Sequence, residues 1–157
     1  MKINLLLDNK QDILNGFINI DPFAEQDDRL KGDISNIDFI CDNGEAEIIL
    51  ANNILEYFHF DKVDGILNHW LSKLKVGGTL VITLYDIDEL SRLFYLNKIN
   101  MDEFNNLVFG KQKLGWDSKK CALNLFNLTL VLENKGYKIL KSFIDGFEGI
   151  VICERIK

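Results

Sequence analysis

The chain has few of the residues that mark disulfide-stabilised, collagen-like and membrane proteins. Its 157 residues include one proline, two histidines and three cysteines. One proline and 11 glycines without a repeat exclude a collagen-like or low-complexity chain. The cysteines are odd in number and far apart, which predicts reduced packing thiols in a cytoplasmic protein. No apolar run approaches the roughly 20 residues of a membrane span, and Ile3–Leu7 is too short and polar for a signal peptide.

Basic charge is also scarce. Lys and Arg number 18 against 24 Asp and Glu, so the formal net charge is −6. A surface that neutralises nucleic-acid phosphates needs excess positive charge, so no nucleic-acid partner is expected. The densest basic stretch consists of Lys111, Lys113, Lys119 and Lys120. We interpret it as a solvated loop. The 47% hydrophobic and 27% charged fractions fit one globular domain over residues 1–157 with a small-molecule site.

Strands and helices alternate along the chain. Short apolar runs bounded by turn residues predict strands at residues 2–7, 17–21, within 33–39, at 46–51 and at 79–84. Helices are predicted at residues 87–96, 102–108 and 118–135, the first capped by Asp86 and the last by Ser118. Residues 137–143 and 150–156 are predicted to pair as a hairpin. Their connection is too short for a crossover helix, so the pairing must be antiparallel.

The clearest helix follows the fourth strand. Its apolar residues recur at helical spacing, and they are Val63, Ile66, Leu67, Trp70, Leu71 and Leu74. Asp61 is predicted as its N-cap and Gly77-Gly78 as its end. Together with the other elements, this helix predicts a mostly parallel sheet covered on both faces. Any ligand is then expected at the carboxyl ends of the strands.

Four segments resemble motifs of the small class I S-adenosylmethionine-dependent methyltransferases. They are Gly16–Asp21 (similar to G-[YFW]-[IV]-N-[IVL]-D), Ala51–Phe58 (A-S-x-x-L-E-H-F), Trp70–Leu80 (W-x-R-V-L-K-P-G-G-x-L) and Leu132–Tyr137 (L-E-x-A-G-F). They occur in the family's order and spacing and cover most of the chain. The resemblance implies an α/β, Rossmann-like methyltransferase fold whose seven-stranded, mostly parallel sheet has an antiparallel last strand. It also implies S-adenosylmethionine as cofactor.

The resemblance assigns cofactor contacts to particular residues. Asp21, at the end of the second strand, matches the acid that binds the cofactor ribose, because a carboxylate accepts from both hydroxyls of a diol. The alternative is a carboxylate that simply ends the strand beside Pro22. Asp33 and Ile34 match the pair that contacts adenine, although a surface acid and a core isoleucine explain them equally well. Asn52 matches the methionine end of the site, and alternatively satisfies backbone groups in its turn.

The family's glycine loop after the first strand is missing. Leu6, Leu7, Asp8 and Asn9 stand in its place, and the next glycine is Gly16. Glycine there provides positive φ and leaves room for the ligand, whereas a leucine forced into that conformation costs roughly 1–2 kcal/mol. Asp8 adopts such a conformation more cheaply and is therefore the candidate cofactor contact in this turn. The missing loop puts cofactor binding in question.

No catalytic residue can be named from the sequence. Methyl transfer depends mainly on proximity and alignment, so a general base is helpful rather than obligatory. His59 lies near a predicted strand end and suits an acid–base group, but a surface or packing role explains it as well. Tyr85 and Asp86 follow the fifth strand and could orient an acceptor hydroxyl, whereas capping alone explains Asp86. Trp116 lies in an insertion, residues 97–118, where relatives bind the acceptor. An aromatic there suits a sugar or another polar acceptor, and ordinary packing of a surface flap explains it equally well. No metal-binding motif is present.

Two hypotheses about function follow. The first, which we favour on the sequence, is a methyltransferase acting on a sugar or small-molecule acceptor, because the second strand and the segment after the fourth remain intact. The alternative is a non-catalytic relative, a binding or partner subunit whose cofactor pocket is closed by Leu6 and Leu7. The expected assembly is a homodimer or a subunit bound to a partner, with no membrane contact.

Overall fold

The computed structural model describes residues 1–7, 11–25 and 28–157. The strands are β1 (Lys2–Leu5), β2 (Ile18–Asp21), β3 (Arg29–Lys31), β4 (Ala46–Asn52), β5 (Leu74–Tyr85), β6 (Lys138–Asp145) and β7 (Glu148–Glu154). The helices are α1 (Phe60–Lys73), α2 (Ile87–Tyr95), α3 (Met101–Phe109) and α4 (Leu125–Asn134), and Leu55–Tyr57 form a 3₁₀ turn. None of these helices in the described ranges is long and apolar enough to cross a bilayer.

The seven strands form one sheet in the order β3-β2-β1-β4-β5-β7-β6. The four pairings among β1 to β5 are parallel, and β7 runs antiparallel to both β5 and β6. The predicted α/β fold, its mostly parallel sheet and its antiparallel last strand are therefore confirmed. Because β1, β2, β4 and β5 are parallel, their carboxyl ends meet at one edge of the sheet.

Helix α1 forms where the apolar stripe predicts it, but both of its ends differ from the prediction. His59 is the N-cap residue, and Asp61 lies in the first turn, where a carboxylate complements the helix dipole. The helix ends at Lys73, and β5 begins at once with Leu74. Gly78 lies inside β5, where an added Cβ would stand 2.7 Å from the Ala46 carbonyl oxygen. This glycine therefore permits a close strand contact rather than ending the helix.

Two further predictions were wrong in position. The third strand is Arg29–Lys31, whereas residues 33–39 form turns that bury Ile34 and Ile37. Helix α4 begins at Leu125, and its N-cap is Asn124 rather than Ser118. Ile34 and Ile37 gave an apolar pattern over residues 33–39, but their burial comes from tertiary packing rather than from a strand. The Asp86 cap of α2 is confirmed, since its Oδ1 accepts from the Glu89 amide at 2.9 Å.

One face of the sheet carries the core. Ile3, Leu5, Leu80, Ile82 and Val151 are 0% exposed there. Helix α4 lies on the same face, because its Thr129 hydroxyl is 2.9 Å from that of Ser142, whose neighbour across the hairpin is Val151. The buried side of α1 joins this cluster. Both long crossover helices therefore cover one face.

The other face is open, which corrects the expectation of a sheet covered on both faces. Its aliphatic side chains are all partly exposed and do not join the core; they are Ile48, Leu50, Val81, Ile150 and Ile152. The described parts of the connections 6–17 and 22–28 contain no helix. Residues 11–17 lie over β1 and β2 here, and buried Asn4 of β1 donates to Asn19 Oδ1 of β2 and to the Asp12 carbonyl. The hydrogen-bonded side chains of Asn4 and Asn19 thus lie where an apolar contact with a covering helix was expected.

Candidate functional site

Gln11 connects the residues that follow β1 with the end of β4. Leu6 is 2% exposed and Leu7 8% exposed, and the Leu6 amide donates to the Ile20 carbonyl at 2.8 Å. Gln11 Oε1 accepts from the Leu7 amide at 2.7 Å, while Gln11 Nε2 donates to the Asn52 carbonyl at 2.8 Å. The side chain of Gln11 therefore joins the ends of β1 and β4. Asp8, the candidate cofactor contact after β1, lies outside the described residues.

Asp21 lies at the end of β2, and both of its carboxylate oxygens are engaged within the chain. Oδ1 accepts from the Phe23 amide at 2.8 Å, and Oδ2 accepts from Arg29 Nη1 at 2.9 Å. The side chains of Asp21 and Arg29 are only 1% and 6% exposed. Arg29 Nη2 also donates to the Gln11 carbonyl at 3.2 Å. A guanidinium and a backbone amide thus hold the oxygens that a ribose diol would need.

The other predicted cofactor contacts have local partners. Asp33 is exposed, and its Oδ1 accepts from the amide and the hydroxyl of Ser35. Ile34 is 2% exposed, and its carbonyl accepts from the indole N–H of Trp70 at 2.8 Å. Asn52 contributes its carbonyl to Gln11, as described above. The structure therefore brings Asp21 and Asn52 to one edge, with Gln11 and Arg29 between them.

A small cavity remains beside Gln11. Its volume is about 230 Å³, and its walls are Leu7, Gln11, Asn53, Tyr57, Tyr85 and Trp116. Sites for drug-sized ligands usually measure about 300–1,000 Å³. Trp116 stacks on Phe23 with the ring centroids 5.1 Å apart, so the insertion packs against the turn that follows Asp21. The cavity has aromatic walls, and its volume lies below the usual range for drug-sized ligands.

A buried ion pair that the sequence did not reveal lies behind the cavity. Lys119 Nζ is 3.7 Å from Glu56 Oε1 and 3.8 Å from the centre of the Tyr85 ring. The two charged side chains are 4% and 2% exposed, so the interpretation of Lys119 as part of a solvated loop was wrong. Burial lowers the pKa of Lys119, and Glu56 opposes that change. Burial, followed by Glu148 and Glu56, raises the pKa of Tyr85. The cluster fastens the insertion to the strand ends.

The two histidines do not join this edge through any contact seen in the described residues. His69 Nε2 accepts from the Ile37 amide at 2.9 Å, and burial lowers the pKa of this ring. This half-buried ring therefore acts as a neutral hydrogen-bond acceptor. His59 is exposed at the N-cap of α1. Asp86 accepts from the Leu125 amide at 2.7 Å through Oδ2, so it fastens α4 as well as capping α2.

The thiols are expected to react slowly. Burial raises the pKa of Cys121 to about 11, with Glu56 adding to the effect, and that of Cys153 to about 12. The thiolate is the reactive form, and a rise of about two pKa units leaves ~100-fold less of it at pH 8. We expect an aromatic disulfide reagent at pH 8 to label Cys121 and Cys153 in the native chain at least ~100-fold more slowly than in the urea-unfolded chain. Equal rates would show that these segments open readily.

Comparison with solved structures identifies the fold. An O-methyltransferase family protein from Burkholderia thailandensis is 15% identical over 81% of this chain, with a TM-score of 0.55. The 1,6-didemethyltoxoflavin-N1-methyltransferase of the same species, solved with S-adenosylhomocysteine, is 11% identical over 90% of the chain, with a TM-score of 0.59. An S-adenosylmethionine-dependent methyltransferase from Archaeoglobus fulgidus is 13% identical over 88%, with a TM-score of 0.58.

The chain resembles these three proteins in fold rather than in sequence. No family model and no curated protein sequence matches the chain. The chain spans 35%, 61% and 76% of the three proteins, so the first two are much longer than it is. The strand order, the antiparallel β7 and these structural matches agree with one another. The chain therefore has the fold of the class I S-adenosylmethionine-dependent methyltransferases.

Proposed function

We propose that the chain is a non-catalytic methyltransferase-fold protein, a binding or partner subunit that does not bind S-adenosylmethionine. The observation that carries this proposal is the engagement of Asp21 by Arg29 and the Phe23 amide in a nearly dry environment. A ribose diol would have to displace a buried guanidinium, and breaking such a pair costs several kcal/mol. As arranged, these residues do not fit the cofactor.

The residues that follow β1 support the same proposal. In the related fold a glycine turn lets the backbone approach the cofactor closely, as the sequence resemblance implies. Here the Leu7 amide is bonded to Gln11, and the leucine side chain is buried at the mouth of the remaining cavity. The cavity of about 230 Å³ is smaller than sites for drug-sized ligands usually are, and S-adenosylmethionine is a ligand of that size. The three unpaired cysteines suit a cytoplasmic setting for such a protein.

A titration with S-adenosylmethionine and S-adenosylhomocysteine tests the proposal. We expect no binding heat and no change in the thermal unfolding midpoint with either ligand. For comparison, a ligand present at 100 times its Kd would stabilise the chain by about 2.7 kcal/mol. In a chain of this size that gain would raise the midpoint by roughly 5–10 °C. The assay therefore detects even moderate binding, and a cooperative melt without ligand establishes that the sample is folded.

The second candidate is a methyltransferase acting on a small-molecule or sugar acceptor. It is favoured by the position of Asp21 at the end of β2 and by the aromatic pair of Phe23 and Trp116 beside the cavity. This candidate requires Arg29 to leave Asp21 when the cofactor enters. Saturable binding of S-adenosylmethionine would support it and overturn the non-catalytic proposal.

A further inference from the structure

Strand β6 is an exposed edge of the sheet. It is the last strand in the sheet order and pairs with β7 alone. Three of its apolar residues are almost half exposed: Leu140 at 42%, Phe143 at 47% and Ile144 at 40%. An edge strand with exposed apolar side chains is a template for pairing with another strand, and most proteins shorten, charge or cover such edges.

Helix α4 extends this apolar edge into a larger surface. Phe126 is 69% exposed and Leu130 is 40% exposed, one helical turn apart. Together with Ser142 and Ile144 they line a groove of about 430 Å³ between α4 and β6. We call the five apolar side chains of this surface the β6–α4 patch, and they are Phe126, Leu130, Leu140, Phe143 and Ile144. Ile144 lies on the α4 side of the sheet with Phe126 and Leu130, whereas Phe143 alternates with it along β6 and points to the open face. The patch therefore extends around the edge of the sheet.

We propose that the β6–α4 patch binds a second copy of this chain, with β6 pairing antiparallel to β6 of that copy. The two sheets would then join into one, and the two α4 helices would lie on the same side of it. The inference goes beyond the proposed function and does not depend on it. A closed dimer of this kind uses the same surface on both copies.

The regular part of β6 is self-complementary. A bulge between Ile139 and Lys141 interrupts the ladder, and Gly146 turns the chain after Asp145. The regular segment is therefore residues 141–145, whose centre is Phe143. With the two-fold axis at Phe143, that ring faces its counterpart, and Lys141 of each copy faces Asp145 of the other. Aromatic pairs and opposite charges are both favourable when directly opposed in a sheet.

The charges and the faces of the sheet agree with this register. Neither Lys141 nor Asp145 makes an ion pair within the described part of the chain. An axis at Lys141 would instead oppose two ammonium groups, which is destabilising. In the proposed register Ser142 faces Ile144 of the second copy. Both lie on the α4 side of the sheet, since Ser142 contacts Thr129 and Ile144 borders the groove.

The size of the patch is appropriate for a dimer. From their exposed fractions, its five side chains present on the order of 400 Å² of apolar surface on each copy. A standard interface buries about 800 Å² per partner, of which somewhat more than half is apolar. The backbone edge of β6 and the flanking polar side chains would supply the remainder.

Site-specific crosslinking tests the register. We expect Phe143→Cys to form a disulfide-linked dimer on mild oxidation, because its Cα atoms would face each other at about 4.5–5.5 Å. Leu140→Cys is the matched control, since it is equally exposed on the same strand but would lie roughly 20 Å from its counterpart. Ser142→Cys distinguishes an axis shifted by one residue. Equal crosslinking of Phe143→Cys and Leu140→Cys would overturn the proposal.

Charge exchange tests the same contact without cysteine. Lys141→Asp and Asp145→Lys should each raise the dimer dissociation constant by about tenfold, because each change alters two symmetric pairs. The double variant should restore association, which a merely structural effect on one chain would not do. Sedimentation equilibrium gives the measurement, and circular dichroism confirms folding. A chain that is monomeric at every concentration, or a double variant that stays weak, would refute the dimer and leave the cofactor titration unaffected.

Discussion

Replacement of Arg29 by methionine is expected to lower the free energy of unfolding by about 3–5 kcal/mol. Arg29 neutralises Asp21 at a position where the two side chains are 6% and 1% exposed. Methionine fills much of the space but leaves a buried carboxylate whose remaining bond in the described residues is to the Phe23 amide. An unpaired buried charge of this kind is among the few causes of a large loss from one substitution.

Urea unfolding of Arg29→Met and of a matched control measures this effect. Arg92→Met also removes an arginine from an ion pair, here with Glu89, but the Arg92 side chain is 56% exposed. Its loss should cost less than about 1 kcal/mol. The double variant Asp21→Asn with Arg29→Met should recover much of the lost stability, because the two residues act as one unit. If Arg29→Met cost no more than Arg92→Met, the Asp21–Arg29 ion pair would contribute little stability. A ribose diol could then displace Arg29 from Asp21 at little cost, which would contradict the proposed function.

The elements that local pattern encodes were predictable from the sequence. The apolar residues of α1 recur at the helical period, so they share one side of the helix. That side is buried regardless of which element packs against it. The hairpin of β6 and β7 follows from a connection too short for any other pairing. The strand that ends in Asp21 carried a motif as well as an apolar pattern. These features established the fold and the edge of the sheet where the candidate site lies.

The contents of the site were not predictable, because its contacts join distant parts of the chain. Gln11 bonds to Asn52, which is 41 residues away, and Lys119 pairs with Glu56 across 63 positions. Neither pairing produces a period or a motif. Arg29 lies only eight residues from Asp21, yet its role depends on β3 forming at residues 29–31 rather than later. Spacing alone shows that the glycine loop is missing, but not which side chains take its place.

The open face of the sheet was not predictable from the sequence either. Buried strands of a parallel sheet are apolar on both sides, and Ile48-Ile49-Leu50 has that pattern. The sequence therefore implied two covering layers. The short connections around β2 supply no helix in their described parts, so Ile48 and Leu50 stay partly exposed while Ile49 is buried. An apolar strand shows that burial is favourable on a face, but not that a layer is present there.

Substitutions at two adjacent residues of β5 are expected to lower the free energy of unfolding by different amounts, because the two side chains lie on opposite faces of the sheet. Leu80 is 0% exposed in the core, and Leu80→Ala should cost about 2–5 kcal/mol, since it removes buried methyl groups and leaves a cavity. Val81 points to the open face, where Leu50 and Ile152 are its neighbours across the ladder. Val81→Ala should cost less than about 1 kcal/mol, because water already reaches that surface.

Urea unfolding at several protein concentrations makes this comparison informative about function as well as stability. If Val81→Ala costs little at every concentration, the face is solvated in the isolated chain. Such a face leaves a flat apolar surface for a partner, since exposed apolar patches of a few hundred Å² often mark interaction sites. A cost near that of Leu80→Ala would contradict the open face. If that cost grew with protein concentration, a second copy would be covering the sheet, and the dimer would use this face instead of β6.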